Sequence, residues 1–145
     1  MPRPKNDRFV YEPPLFTEFK PVGVAAKSLR RNSLTLDEYE AVRLADHLGL
    51  SHEEAAEEMQ ISRPTFSRLV ATARGKITDT LVSGKMLTIG GGNIHFRNNI
   101  IRCLDCGNIF RTKMNSTLLK CPACHSSRLQ NLAGGFGHGR CCSHD

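Results

Sequence analysis

No apolar run in this chain is long enough for a signal-peptide core or a membrane span. The opening stretch, MPRPKNDRFVYEPP, is broken by prolines and charges. Nothing after it approaches the roughly 20 consecutive apolar residues that a spanning helix needs. The expected location is therefore the cytoplasm, with no membrane partner. Catalytic constellations are missing too. No Ser/His/Asp set, pair of carboxylates or open metal site can be assembled from the residues, so an enzyme is not expected. Gly90-Gly91-Gly92 is no phosphate loop, since no lysine–serine/threonine pair follows it. It reads as a linker. A reducing compartment also argues against structural disulfides, so the six cysteines point to metal or redox chemistry.

What the chain does have is charge, unevenly placed. Its 145 residues carry a formal net charge of +6. Residues 1–34 hold seven Lys or Arg against three Asp or Glu, residues 35–62 one against eight, and residues 63–145 twelve against three. Such polarity presents a basic face to a polyanion and keeps an acidic one in water. The length suits one modest domain with a smaller module, or two small modules.

Residues 50–69, LSHEEAAEEMQISRPTFSRL, carry the organising pattern. They predict two short helices joined by a tight turn. Ser51 with Glu54 forms a capping box, and Ala55, Ala56 and Met59 supply an apolar stripe. Gln60-Ile61-Ser62 makes the turn, and Ser62 caps a second helix that tolerates Pro64 in its first turn. Ala56 is the small residue where the helices cross, and Ile61 fills the gap under the turn. Phe66 and Leu69 anchor the second helix, with Val70, Ala73, Ile77 and Leu81 behind them. Gln60 stands where glycine is usual.

Left outward are Ser62, Arg63, Pro64, Ser67, Arg68 and Ala71, positions from which a recognition helix reaches a major groove. An ordinary helical hairpin with a solvated basic face shares the periodicity. It does not require the buried set, the caps and the outward arginines to agree, so double-stranded DNA is the expected partner. The expected DNA contacts are Ser62, Arg63, Thr65, Ser67 and Arg68, with Arg74 and Lys76 on the phosphate backbone.

Upstream, Thr35 and Glu38 form another capping box, opening a helix through Leu36, Tyr39, Val42, Leu44, Ala45 and Leu48 to a C-cap at Gly49. The fold class expected is mainly α, a helix-turn-helix three-helix bundle over residues 34–85. An extended basic arm (1–33) precedes it, with Phe16 and Phe19 packed on the helices. That arm either tracks DNA or is a terminus without a partner. Gly75, inside the last helix, marks a bend or a close helix contact. A strand from Lys85 to Ile89 and the glycines form a linker (86–94).

MPRPK at the start, FKPVG at 19–23, LTLDEYEAVRLADHLGLSHEEAAEEMQISRPTFSRLVATARGKITDTLVSGK at 34–85 and IGGG at 89–92 resemble an uncharacterised prokaryotic family. Its members are described as predicted DNA-binding proteins, with a helix-turn-helix similar to region four of bacterial sigma factors. The resemblance covers residues 1–92 and implies a regulator of transcription.

A small β zinc ribbon is expected over residues 95–132. Cys103-Leu-Asp-Cys106 and Cys121-Pro-Ala-Cys124 are two CxxC knuckles, each able to aim two sulfurs at one ion. Together they make a closed tetrahedral site for one structural Zn2+, with iron a less favoured occupant. Gly107 suits the positive φ such knuckles use. Segments 109–112 and 118–120 supply the hairpin, and a module this small takes much of its folding free energy from the metal. Residues 133–145 read as a flexible tail, in which His138, Cys141, Cys142 and His144 offer an alternative second metal site. Two rival functions stand beside DNA regulation: a metal- or redox-responsive sensor, and an adaptor for a protein such as RNA polymerase. Oligomeric state is open, a dimer among the options.

Overall fold

The computed structural model describes residues 7–114, 120–138 and 140–142. The basic arm at 1–5 and His144 lie outside them. The chain divides into two compact units. One gathers residues up to Phe9 with Phe16–Ile94, and the other gathers Val10–Leu15 with the chain from His95 onward. Among the described residues no helix is long and apolar enough to cross a membrane.

Local signals set the helices of the first unit. Helix α1 spans Leu36–Val42, opened by the Thr35/Glu38 capping box. It continues into a wider π turn over Arg43–His47, where the Leu48 N–H reaches back to Arg43 O at 2.9 Å. Helix α2, His52–Met59, opens with the Ser51/Glu54 capping box. It ends at Gln60 in the left-handed region, φ 56°. Helix α3, Arg63–Ser83, is capped by Ser62 and stops at Gly84, φ 64°.

Ala41, Leu44, Ala55, Ala56, Met59, Phe66 and Val70 form the buried cluster between the helices, with Ile61 and Leu69 partly buried against it. Leu81, placed on that face by its spacing, is 79% exposed, because α3 outruns the two helices it crosses. Gly75 meets nothing within 4 Å, so it marks no close contact.

The expectation of a mainly α three-helix bundle is corrected by the strands. Among the described residues eight strands form three small sheets beside the three α-helices. β2 (Glu18–Phe19) and β3 (Arg31–Leu34) flank β4 (Met86–Ile89), antiparallel and parallel respectively. A parallel pair needs a long crossover, and here α1, α2 and α3 are that crossover from β3 to β4. The strand β3 falls at the end of the expected extended arm, and its sequence, Arg-Asn-Ser-Leu, shows no apolar alternation. Its structure comes from pairing with a strand about 55 residues later, Arg31 opposite Met86 and Leu34 opposite Ile89.

Asn32 pins that sheet to α3, its Nδ2 donating to Lys76 O, Asp79 Oδ2 and Thr80 Oγ1 at 3.2, 2.9 and 3.1 Å. The glycine segment is stitched down as well. Gly90 N–H donates to Leu34 O, and Gly91 O accepts from Leu36 N–H at the start of α1. Phe16 and Phe19 remain 60% and 51% exposed, and so are not buried against the helices.

β1 (Arg8–Val10) pairs with β5 (Ile94–Phe96). In the second unit β6 (Asn98–Cys103) is the central strand, antiparallel to β7 (Ile109–Lys113) and to β8 (Leu129–Asn131). The hairpin partner of 109–112 is therefore β6; residues 118 and 119 lie outside the described chain. Val10, Phe96, Ile100, Ile101, Leu132 and Ala133 are buried there. Asn99, 4% exposed, is satisfied on both sides: its Oδ1 accepts from Ile100 and Ala133 N–H at 2.8 and 3.0 Å, and its Nδ2 donates to Asn131 Oδ1 at 2.6 Å.

Candidate metal centre and nucleic-acid interface

The two CxxC segments fold into matching knuckles. Cys103 N–H donates to Asn108 O at 2.9 Å, and Gly107 N–H returns to Cys103 O at 3.0 Å. In the second knuckle Cys121 N–H donates to Ser126 O at 2.8 Å, and His125 N–H returns to Cys121 O at 2.9 Å. The residue after each second cysteine has positive φ: Gly107 at 76° and His125 at 62°. Glycine takes this conformation freely, whereas histidine adopts it at a cost of about 1–2 kcal/mol. Asp105 joins the knuckles, accepting from Ser126 Oγ and from Arg128 Nη1.

The four sulfurs converge as a result. Cys103 and Cys124 Sγ are 3.5 Å apart, Cys106 and Cys121 Sγ 3.7 Å, and all four lie within 4.8 Å of one another. Cys103 and Cys121 are buried, while Cys106 and Cys124 are exposed. Zn–S bonds of about 2.3 Å in a tetrahedron require sulfur–sulfur edges of about 3.8 Å, so the donor set fits such an ion. This cluster can hold a metal ion.

Its electrostatics favour thiolate at two of the four cysteines. The backbone N–H of Cys124, with that of Ala123, lowers Cys121 to about 6, and the N–H of Cys106 lowers Cys103. The N–H groups of Asn108 and Ser126 act the same way on the other two. Burial and the neighbouring sulfurs outweigh them, so Cys106 is raised and Cys124 reaches about 12. A bound dication would displace the protons that these thiols hold.

The residues expected to meet DNA fall into two groups. Ser62, Arg63, Thr65, Ser67 and Arg68 lie on or before the first two turns of α3. Ser62 Oγ accepts the Thr65 N–H at 3.3 Å and also bonds Thr65 Oγ1. Ser67 Oγ lies 2.9 Å from His52 Nδ1, fastening α3 to α2. Arg63 and Arg68 are exposed, and neither forms an ion pair among the described residues. Arg74 and Lys76 are occupied. Arg74 makes a two-pronged contact with Asp46, Nε–Oδ2 3.0 Å and Nη2–Oδ1 2.8 Å, which lowers Asp46 and raises Arg74. Lys76 Nζ lies 2.7 Å from the buried Glu38. Arg8 likewise pairs with buried Asp37 on α1.

The chain end, read from sequence as a flexible tail, follows a defined path over its described residues. Leu132 and Ala133 are buried, Gly134–Phe136 makes a 3-10 turn, and Cys142 is only 6% exposed. His138, Cys141 and Cys142 gather beside His95 of β5, giving a second group of four donor side chains within 4.8 Å. Sequence reasoning passed over His95, which lies 47 positions from Cys142 and in no motif with it.

The family model described as "Protein of unknown function DUF134" matches residues 1–97. The chain is 45% identical over 143 residues to a UPF0251 protein of Chloroherpeton thalassium, covering 97% of this chain and 95% of that one. It is 40% identical over 145 residues to a UPF0251 protein of Chlorobaculum tepidum, with coverage of 97% and 74%. A UPF0251 protein of Moorella thermoacetica is 41% identical over 145 residues, with coverage of 99% and 95%. These likenesses extend past residue 92 into the cysteine-rich region. No solved structure matches the chain.

Proposed function

We propose that this chain, which belongs to the DUF134 family of proteins of unknown function, is a sequence-specific DNA-binding regulator of transcription and not an enzyme. In this reading the first two turns of α3 enter the major groove. Arg63 and Arg68 meet base edges or phosphates there, while Ser62, Thr65 and Ser67 fix the end of the helix that carries them. The observation that carries the reading is the division of the four basic residues on α3. Arg63 and Arg68, beside the turn, project into solvent without a carboxylate partner among the described residues. Arg74 and Lys76, further along, are held by Asp46 and Glu38. An unpaired arginine can meet guanine or phosphate without first breaking an internal pair. In this account Arg74 and Lys76 brace α3 against the preceding helical segment instead of gripping the DNA backbone.

The four-cysteine centre holds one structural zinc in the same reading, supported by the sulfur spacing and by the backbone N–H groups that stabilise thiolate at Cys103 and Cys121. Selection of bound sequences from random duplex DNA tests the function, with zinc measured on the same protein purified without added metal. An enriched motif and about one retained equivalent of zinc are expected. A pool that stays random overturns the DNA reading; an intact ribbon without zinc overturns the metal assignment.

A further inference from the structure

We propose that His95, His138, Cys141 and Cys142 form a second metal site, a four-coordinate centre of two imidazole nitrogens and two thiolates for a divalent cation of the zinc class. Cys141 and Cys142 Sγ are 3.6 Å apart. His138 Nδ1 lies 3.3 Å from the first sulfur and 3.4 Å from the second, and His95 Nδ1 lies 3.5 Å from Cys142 Sγ. Bonds of about 2.3 Å to sulfur and about 2.0 Å to nitrogen give tetrahedral edges of about 3.3–3.8 Å. Each of these four separations falls within that range.

The fold builds this convergence from both sides. His95 is held on β5 between the buried Ile94 and Phe96. The other three donors arrive by a turn that two asparagines start. Asn99 Oδ1 accepts the Ala133 N–H at 3.0 Å, and Asn131 Oδ1 accepts the Gly134 N–H at 2.9 Å. Gly137, at φ 80°, reverses the chain, and the His138 N–H closes on Ala133 O at 3.1 Å. The His138 ring then meets Phe96 edge to face at 5.2 Å, which fixes the direction of its nitrogens.

A second observation points to thiolate at this place. The Phe96 backbone N–H donates to Cys142 Sγ at 3.3 Å, the arrangement that Ala123 N–H makes with Cys121 Sγ at 3.4 Å in the four-cysteine centre. A backbone donor aimed at sulfur favours the charged form, which is the metal ligand. Hydrogen bonding among the four side chains is a poorer account of the cluster. Thiols are weak donors and weak acceptors, so gathering two of them with two imidazoles around a buried sulfur gains little without an ion.

The two sites differ in charge. Four thiolates around a dication leave a net charge of −2; two thiolates and two neutral imidazoles leave none. Half of the cysteines are buried at each centre, so the number of thiolates sets them apart. The second site therefore binds more weakly and exchanges faster, and its ion would tie the chain end to β5.

The test uses the full-length protein, dialysed against zinc and then against metal-free buffer, with bound zinc counted at each stage. Two equivalents are expected after loading. A chelator should remove one quickly, and the slowly released one should be lost only in a Cys103→Ser variant. His95→Gln should bind a single, slowly released equivalent. It replaces a half-buried ring and so reports even if Cys142→Ser disturbs the fold. Cobalt substitution adds a spectroscopic arm, since the bands from the two-thiolate centre should vanish in His95→Gln while those of the four-thiolate centre persist. A wild-type protein that saturates at one equivalent, or a His95→Gln variant that still binds two, overturns the proposal. Failure of the DNA reading would leave these metal counts unchanged, so the two ideas fall separately.

Discussion

In the helical unit, seven buried apolar side chains from α1, the π turn, α2 and α3 meet in one cluster. In the second unit, the buried set includes Cys103, Cys121 and Cys142 alongside a few aliphatics and Phe96. The difference follows from size and shape. Three crossing helices enclose a core, whereas three short strands and two knuckles bury too little apolar surface and need a staple. Charge follows the same division. The helical unit pairs its buried Asp37, Glu38 and Glu40 with Arg8, Lys76 and Arg43, and on α3 it leaves Arg63 and Arg68 outward. The second unit uses its polar side chains to converge on common points. One unit has surface to spare for a partner, and the other spends its polar groups on its own integrity.

The largest effect expected from breaking this contrast is at Cys121. Under the proposed zinc assignment, Cys121→Ser removes a buried sulfur and should abolish zinc retention at the first centre, since a structural zinc contributes on the order of 10 kcal/mol. Hydrogen exchange should accelerate from about residue 98 to 131, while protection in α1, α2 and α3 stays as in the wild type. Loss of protection in both units would mean that they share one source of stability. Next comes Phe66→Ala, which empties a fully buried site and should cost the helical unit about 3–5 kcal/mol by urea denaturation. Zinc content should not move.

Smaller changes sharpen the contrast. Gly75 is exposed in mid-helix with open space around it, so Gly75→Ala should stabilise the helical unit by about 0.5–1 kcal/mol. No gain would mean that another constraint holds this glycine. The smallest effect concerns Asp79, whose hydrogen bonds from Lys85, Asn32 and Ser83 lower it from 3.8 to about 2. A depressed carboxyl stabilises the fold above its unfolded value and loses that contribution as pH falls through the folded one. The urea midpoint should therefore drop between about pH 4 and pH 2. Asp79→Asn should flatten that segment of the curve.

Legibility from sequence tracked the range of the interactions. Both capping boxes and the Ser62 cap were readable because each is set within a turn of chain. The CxxC knuckles were readable for the same reason. β3 was not, because Arg31–Leu34 becomes a strand only through a partner beyond three helices. The second donor cluster was half readable. Its His138-x-x-Cys141-Cys142 segment is local, but His95 enters through the fold. The ion pairs of Arg74 and Lys76 were invisible for the same reason, since Asp46 and Glu38 share no helical register with them.

The proposed DNA reading rests on Arg63 and Arg68, the two arginines that α3 leaves unpaired among the described residues. It is tested most directly by measuring the affinity of Arg68→Ala and Lys76→Ala for the selected duplex and for a scrambled one across a salt series. Arg68→Ala should lose about 1–3 kcal/mol on the selected duplex and much less on the scrambled one. Lys76→Ala should leave the ratio between the duplexes unchanged. Equal binding of wild type and Arg68→Ala to both duplexes would contradict the claim.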